Sequence, residues 1–335
     1  MKKIINDPEH FVDEVLDGIQ RAYGNKLKFL DNDARIIVRA DPVKPGKVGI
    51  VTGGGSGHLP VFLGYVGQGM LDGCAVGNVF ASPSAQRMAA MIKACNRGSG
   101  VLCLYGNYGG DNLNFDLACE MVEFDDIKTA TVRVADDIAS APSEKSDKRR
   151  GVAGMVYAFK IAGASAERGD DLETVAAKAR KALSATRTMG VALSPCIVPQ
   201  VGKPTFSIAD DEIEIGMGIH GEPGIEVRKM MSADQIADLI IEKIETEISL
   251  ALGDEVSVMI NGLGATPLEE LLIVFRAVHR KLEALGVKIF MPHIGEFATS
   301  MEMAGLSITL IKLDAELKDL LAVPAITPFY TNLNK

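Results

Sequence analysis

Val101-Leu102-Cys103-Leu104-Tyr105-Gly106-Asn107-Tyr108-Gly109-Gly110-Asp111 is the stretch on which the reading of the fold turns. The apolar run 101–105 reads as a strand that empties into glycines. A helical pattern then begins, with Leu113, Leu117, Met121 and Val122 on one side, and the alternating strand 129–134 follows. That is a βαβ unit in outline. Working outward, Phe11, Val12, Val15, Leu16 and Ile19 give an amphipathic helix ending near Gly24, followed by extended segments at 36–38 and 48–51. The second of these runs into Gly53-Gly54-Gly55-Ser56-Gly57-His58. Both glycine-rich segments fall at strand carboxyl ends, where open α/β sheets bind ligands.

The alternation continues down the chain. Residues 151–183 read as helical and alanine-rich, and the character changes at Pro195, Pro199 and Pro204. Ile213, Ile215, Met217 and Ile219 alternate as a half-buried strand ending at His220-Gly221-Glu222-Pro223-Gly224. Ser232 with Gln235 forms a capping box, and Thr266-Pro267-Leu268-Glu269 combines N-cap, N1 proline and N3 glutamate for a helix ending at Gly286. Strands are expected at 256–260, 287–290 and 307–313. The expected fold is therefore α/β: two α/β domains, each a mixed or mainly parallel sheet flanked by helices. The boundary is placed so that residues 1–190 form an N-terminal domain with the glycine-rich loops and 191–335 a C-terminal domain carrying His220. A length of 335 residues fits two domains at roughly 150 residues each.

Composition excludes several classes of function. There are 34 glycines, above the usual share of about 7%, no tryptophan, and only 12 Phe and 6 Tyr. Such a chain favours close backbone approach and offers little for stacking on bases or sugar rings. Basic residues number 35 and acidic 44, a net charge of −9 spread along the chain, without the basic stripe of a nucleic-acid binder. The densest basic cluster, Lys145-Ser146-Asp147-Lys148-Arg149-Arg150, reads as a solvated loop. The first residues lack the pattern of a signal peptide, and no apolar run reaches the roughly 18 residues of a membrane span. Five cysteines, without Cys-x-x-Cys spacing, argue against a disulfide framework and a zinc site. A cytoplasmic enzyme or binding protein is expected, with no direct nucleic-acid or membrane partner.

The glycine-flanked sites do not match the familiar motifs. Residues 53–58 lack the Gly-Lys-Ser/Thr ending of a P-loop. His58 stands where a dinucleotide fingerprint needs its third glycine and where a Gly-x-Ser-x-Gly elbow needs its last. The segment offers backbone N–H groups to a small polar ligand, followed by an imidazole; it is equally a tight glycine turn with an incidental histidine. Asp111 reads either as a helix N-cap or as a proton acceptor for a substrate hydroxyl. His220, set among Gly218, Gly221 and Gly224, has an accessible ring suited to act as general base or as nucleophile toward a carbonyl. No close His/carboxylate pair supports a metal site.

Together, Thr52-Gly53-Gly54-Gly55-Ser56-Gly57-His58, Asn107-Tyr108-Gly109-Gly110-Asp111-Asn112-Leu113-Asn114-Phe115, Gly218-Ile219-His220-Gly221-Glu222-Pro223-Gly224 and Asn261-Gly262-Leu263-Gly264-Ala265-Thr266 resemble the dihydroxyacetone kinase substrate-binding subunit, the DhaK family. The likeness runs from Met1-Lys2-Lys3 to the end of the chain. It implies a cytoplasmic kinase split between chains, in which this subunit holds a short-chain ketose and a separate nucleotide-bearing subunit donates phosphate. In the phosphotransferase-dependent version the donor keeps its nucleotide bound. No cofactor is then expected in this chain; nucleotide and Mg belong to the partner. The resemblance further implies that His220 holds the ketone as a hemiaminal, that Asp111 takes the proton of the attacking hydroxyl, and that His58 hydrogen-bonds substrate oxygen. Gly55, Ser56, Gly57 and Gly106 would complete the substrate site, and the subunit would be a homodimer.

Two departures bear on the substrate. Many members have Lys-Asn-Tyr-Thr-Gly-Asp where this chain has Gly106-Asn107-Tyr108-Gly109-Gly110-Asp111, and Ser-Gly-His-Glu-Pro where it has Ser56-Gly57-His58-Leu59-Pro60. Loss of the lysine at Gly106 removes a cationic donor and is expected to open space there and at Gly109, enough for a longer ketose such as erythrulose. The alternative from another class is a ketose-sensing coactivator whose partner is a transcription regulator. Retention of His58, Asp111 and His220 favours the enzyme.

Overall fold

The computed structural model describes residues 2–30 and 33–333; Met1, where the resemblance begins, and the last two residues of the expected C-terminal domain lie outside them. In chain order the main elements are α1 (Phe11–Tyr23), β1 (Leu27–Leu30), β2 (Asp33–Arg39), β3 (Gly49–Ser56), β4 (Gly73–Val79), α2 (Ala85–Cys95), β5 (Val101–Gly106), α3 (Gly109–Glu123) and β6 (Thr129–Val134). Next come α4 (Met155–Glu167), α5 (Leu172–Ser184), β7 (Thr186–Ser194), β8 (Glu212–Ile215), β9 (Glu226–Lys229), α6 (Ala233–Glu245) and β10 (Glu255–Gly262). The last are α7 (Leu268–Ala284), β11 (Lys288–Ile289), β12 (His293–Gly295), β13 (Ala304–Leu313) and α8 (Ala315–Ala322). Among the described residues no helix is long and apolar enough to cross a membrane, and all five cysteines are free thiols.

The chain divides into two compact units, Met1–Val134 with Met155–Ala182 and Asp319–Lys335, and Ala135–Gly154 with Leu183–Lys318. This differs from the boundary placed at 190/191. Strand β7 is an interior strand of the second sheet, between β13 and β8, so residues 186–190 belong with the second unit. The final residues, in turn, return to the first.

The first sheet has the order β1-β2-β4-β3-β5-β6. Strands β4, β3, β5 and β6 are mutually parallel, and β1 and β2 add an antiparallel edge. The expected βαβ unit is β5-α3-β6. Its helix, however, buries only part of the expected stripe: Val122 faces the core, with Phe115, Ala118 and Asp111, while Leu113 and Leu117 are exposed. Spacings of three and four from Phe115 fit one helical face, and that face meets Tyr105, whose ring stacks on Phe115 at 4.1 Å. Around this pair Val51, Val101, Cys103, Met88 and Ile92 form the core, each large apolar side chain contributing about 1.5–3 kcal/mol by its removal from water.

The second sheet, ordered β11-β10-β13-β7-β8-β9 with β12 also on β10, is mixed: parallel at β11 and β12, antiparallel elsewhere. Helices α6 and α7 cover it through Ile236, Ile240, Val274 and Val278. The Ser232/Gln235 capping box is formed at α6. At α7 the cap residue is Pro267 rather than Thr266, because the Thr266 hydroxyl is committed to Gly305, donating to its carbonyl at 2.7 Å and accepting from its N–H at 2.8 Å. The strand expected through Ile219 stops at Ile215, where Gly216 takes φ +82°, a conformation L-residues avoid. His220 therefore stands in a turn beyond the strand.

Candidate functional site

In the first unit the loops after β3, β4 and β5 share the carboxyl end of three neighbouring parallel strands. The glycines are not the loop they resemble in sequence. Gly53, Gly54 and Ser56 pair with Ala75, Val76 and Val79 of β4, the register shifting between Gly54 and Ser56. They are glycines because other groups lie directly on the strand. A Cβ on Gly54 would overlap the Phe62 ring, and one on Gly55 would stand 2.7 Å from the Ala81 nitrogen. The turn itself begins at Gly57, with φ +98°.

His58 follows that turn, nearly fully buried. Its ring stacks on Phe80 at 4.8 Å and meets Phe62 edge-on at 6.2 Å. Phe62 and Phe80 both have positive φ, 72° and 56°. For bulky side chains this is strained backbone, costing about 1–3 kcal/mol each; its result here is two rings clamped about one imidazole. The Ser56 hydroxyl donates to the Gly77 carbonyl at 2.9 Å, so its oxygen retains only acceptor capacity for a ligand.

Asp111 is not the N-cap. Tyr108 takes that position, and Asp111 is the third residue of α3, buried in its first turn, where the helix dipole favours a carboxylate. The asparagines beside it are scaffolding. Asn112 donates to the Asn107 side chain at 2.9 Å, Asn114 to the Pro83 carbonyl at 2.8 Å, and the Asn107 N–H to Val134 at 2.9 Å. A Cβ on Gly110 would stand 2.7 Å from Ser82 Oγ. The segment 80–83 thus touches both the His58 ring and the first turn of α3, and the first unit brings His58 and Asp111 to the carboxyl end of its neighbouring strands β3 and β5.

The space expected at Gly106 is already filled. A Cβ there would lie 3.1 Å from the Tyr108 ring and 3.3 Å from Met155 Sδ, and Gly106 is buried. Gly109, by contrast, is exposed with nothing within 4 Å of such an atom.

His220 belongs to the second unit. Glu222 accepts two hydrogen bonds from it, the backbone N–H onto Oε2 and ring Nδ1 onto Oε1, both at 2.9 Å. Burial alone would raise the Glu222 carboxyl; the hydrogen bond and charge of His220, with backbone donors, reverse this and hold it at about 2. An ionised carboxylate only accepts, so Nδ1 carries a proton, and in the neutral ring the lone pair is then on Nε2. Behind Glu222 lies Arg150, with Nη1 3.9 Å from Oε2. Arg150 is itself fixed by Asp137 at 2.7 Å and by the Gly216 carbonyl at 3.0 Å. A Cβ on Gly218 would overlap the Glu222 carboxylate and the Arg150 guanidinium. Gly218 makes room for the charges that support His220.

This array runs through a chain that the Dak1 domain matches over residues 17–329. The chain belongs to the DhaK family. The dihydroxyacetone-binding subunit DhaK of PTS-dependent dihydroxyacetone kinase 1 from Listeria innocua is 44% identical over 328 residues, covering 98% of this chain and 99% of its own. The D-erythrulose kinase of Mycolicibacterium smegmatis is 42% identical over 337 residues, covering 98% of this chain but 56% of its own. Among solved structures, the dihydroxyacetone kinase operon co-activator Dha-DhaQ has a TM-score of 0.89 at 32% identity, covering 95% of this chain and 98% of its own.

Within this DhaK-family chain, sequence reasoning missed Glu222, Phe62, Phe80 and the arginines. The 145–150 cluster is a solvated loop only in part. Arg149 is buried and forms a fork to Glu247 at 3.0 and 2.8 Å, and Arg150 backs the His220 site. The His-x-Glu spacing was the available signal for Glu222. The fourth motif is structural: Asn261 is buried, donates to Ala298 and Ser307, and accepts from the N–H groups of Phe297 and Ala298.

Proposed function

We propose that the chain is the ketose-holding subunit of a dihydroxyacetone-type kinase, receiving phosphate from a separate nucleotide-bearing subunit. The observation that carries this is the bidentate grip of Glu222 on His220, which places the proton of the neutral ring on Nδ1 and its lone pair on Nε2. In the proposed step the Nε2 lone pair adds to the ketone carbon, the C=O π pair moves to oxygen, and that oxygen takes one proton from solvent, so the adduct carries one positive charge on the imidazole. The positive charge left on the imidazole faces the Glu222 carboxylate, which stabilises it. Only a carbonyl compound can form this hemiaminal, so polyols are refused. Asp111 accepts the proton of the terminal hydroxyl as it attacks the incoming phosphoryl group, and His58 hydrogen-bonds substrate oxygen with Gly55, Ser56 and Gly57 beside it.

Positioning is the larger contribution, roughly 7–11 kcal/mol for a well-aimed hydroxyl, against about 3–5 for a proton acceptor worth 10²–10⁴-fold. Nucleotide and Mg belong to the partner in this reading, and Leu113 and Leu117, exposed on the helix that carries Asp111, support docking beside it. A homodimer working in the cytoplasm is part of the proposal.

A second reading, a ketose longer than three carbons, is favoured by the open position at Gly109 and by the erythrulose kinase likeness. The test is to combine the purified chain with a nucleotide-bearing subunit and its phosphate donor and to screen ketoses of three to five carbons. Phosphorylation of a ketose, but not of glycerol, is expected. No turnover of any ketose, with ligand-dependent binding to a transcription regulator, would replace the kinase reading by the sensing one.

A further inference from the structure

Between β5 and the helix that carries Asp111, a pair of thiols has no part in the chemistry above. Cys119 of α3 and Cys103 of β5 stand with their sulfurs 3.8 Å apart. Cys103 is fully buried and Cys119 partly exposed. The two cysteines share one face with the Tyr105/Phe115 stack: Cys103 lies two residues before Tyr105 on the strand, and Cys119 one turn after Phe115 on the helix.

We propose that Cys103 and Cys119 are an oxidisable dithiol, closed to a disulfide by a peroxide, and that closure moves the helix that carries Asp111. The sulfurs are in van der Waals contact, and a bond of about 2.05 Å draws them together by nearly 2 Å. Strand β5 is held on both sides by β3 and β6, so α3 does the moving. Phe115 already rests on Tyr105 at 4.1 Å and acts as a fulcrum. Drawing Cys119 inward tips the amino end of α3, with Asp111 two turns upstream, away from the sheet.

The reactive partner is Cys119. The hydrogen bond from Cys103, with those from Thr129 and Thr131, outweighs burial and the nearby Asp116 carboxylate and lowers its thiol to about 7; a thiolate near neutrality is the attacking form. It attacks one peroxide oxygen, the O–O bond breaks, and hydroxide leaves as a sulfenic acid forms on Cys119. Cys103 gives its proton to that hydroxide, making water. Its sulfur then attacks the Cys119 sulfur, expelling the second oxygen, which leaves as water on taking a proton. Two thiols have lost two electrons and two hydrogens to one peroxide, and a dithiol reductant reverses the reaction.

The test treats the full chain with hydrogen peroxide, alkylates it under denaturing conditions and maps peptides without reduction. A Cys103–Cys119 crosslinked peptide is expected, with an intact-mass loss of about 2 Da, reversed by dithiothreitol and absent from Cys119→Ser. Recovery of both thiols alkylated, or of Cys119 carried only to sulfinic acid, overturns the proposal. The effect on activity rests on the kinase reading and is scored separately. Ketose phosphorylation should fall several-fold on oxidation of the unsubstituted chain and be unaffected by peroxide in Cys119→Ser. A crosslinked chain with undiminished turnover overturns the lever. Absence of turnover in the reduced chain would instead count against the kinase reading, with the mass map still deciding the dithiol.

Discussion

Replacing Glu222 with glutamine tests the account of His220 at its most specific point. Two donors, the His220 N–H and Nδ1–H, converge on the two carboxylate oxygens at 2.9 Å each, and glutamine brings only one oxygen. If its NH2 faces the backbone, a half-buried N–H loses its acceptor at about 1–3 kcal/mol, and Nδ1 exchanges a charged acceptor for a neutral one at about 1 kcal/mol. The total of about 2–4 kcal/mol is a loss of roughly 30- to 1,000-fold. If the NH2 faces Nδ1, the ring proton must move to Nε2 and the nucleophilic lone pair is lost; a wrong tautomer in a serine protease triad costs about 10⁴-fold. Either way kcat/KM for ketose phosphorylation should fall at least about 30-fold, with the urea midpoint showing the variant folded. Gly218→Ala, whose new Cβ overlaps the same carboxylate, should reach the same outcome without altering either residue. A folded Glu222→Gln with kcat/KM within three-fold of the parent would refute the orienting role.

Burial, opposed by Arg150 and reinforced by the neighbouring Asp136 charge, pushes the Asp137 carboxyl up to about 6. Between pH of about 4 and 6 the folded chain therefore holds a proton that the unfolded chain has released, so this group's contribution to stability falls as pH rises through that window, by up to about 3 kcal/mol. The difference in urea stability between the parent and Asp137→Asn should change by that amount between pH 4 and 7; an unchanged difference would contradict it. At the glycines, Gly106→Ala should cost about 1 kcal/mol or more because Tyr108 and Met155 must shift. Gly109→Ala, in open space at a helix start, should stabilise by up to about 1 kcal/mol. Thermal unfolding of the two variants checks the pair, and equal effects would contradict the reading of where space remains.

What was legible in the sequence was whatever rests on near neighbours. The α1 stripe, β5 and β6 about a crossover helix, and the Ser232/Gln235 box all follow from periodicity and capping within a few residues. The departures come from contacts distant in sequence. Gly53, Gly54 and Ser56 read as loop because nothing local reports that Phe62 and Ala81 lie on them as strand. Leu113 and Leu117 read as core because the apolar count on α3 favours them, yet the face is set by where Tyr105 receives Phe115. Arg149 and Arg150 read as solvated because nothing within a few residues reports their partners: Glu247 for Arg149, and Asp137, the Gly216 carbonyl and Glu222 for Arg150. The motifs single out His58, Asp111 and His220 as candidates; the aromatic clamp and the Glu222–Arg150–Asp137 support were not legible in them.

The covalent grip of His220 on a ketone is the claim most directly open to measurement. The chain, labelled with 15N in its histidines, is saturated with dihydroxyacetone carrying 13C at the carbonyl, and the 13C spectrum of the complex is recorded. The account expects the bound carbonyl resonance to be replaced by a tetrahedral carbon with a one-bond coupling to a single histidine nitrogen, lost in His220→Asn. A saturated complex that retains an intact ketone resonance, or a tetrahedral carbon that persists in His220→Asn, would contradict it.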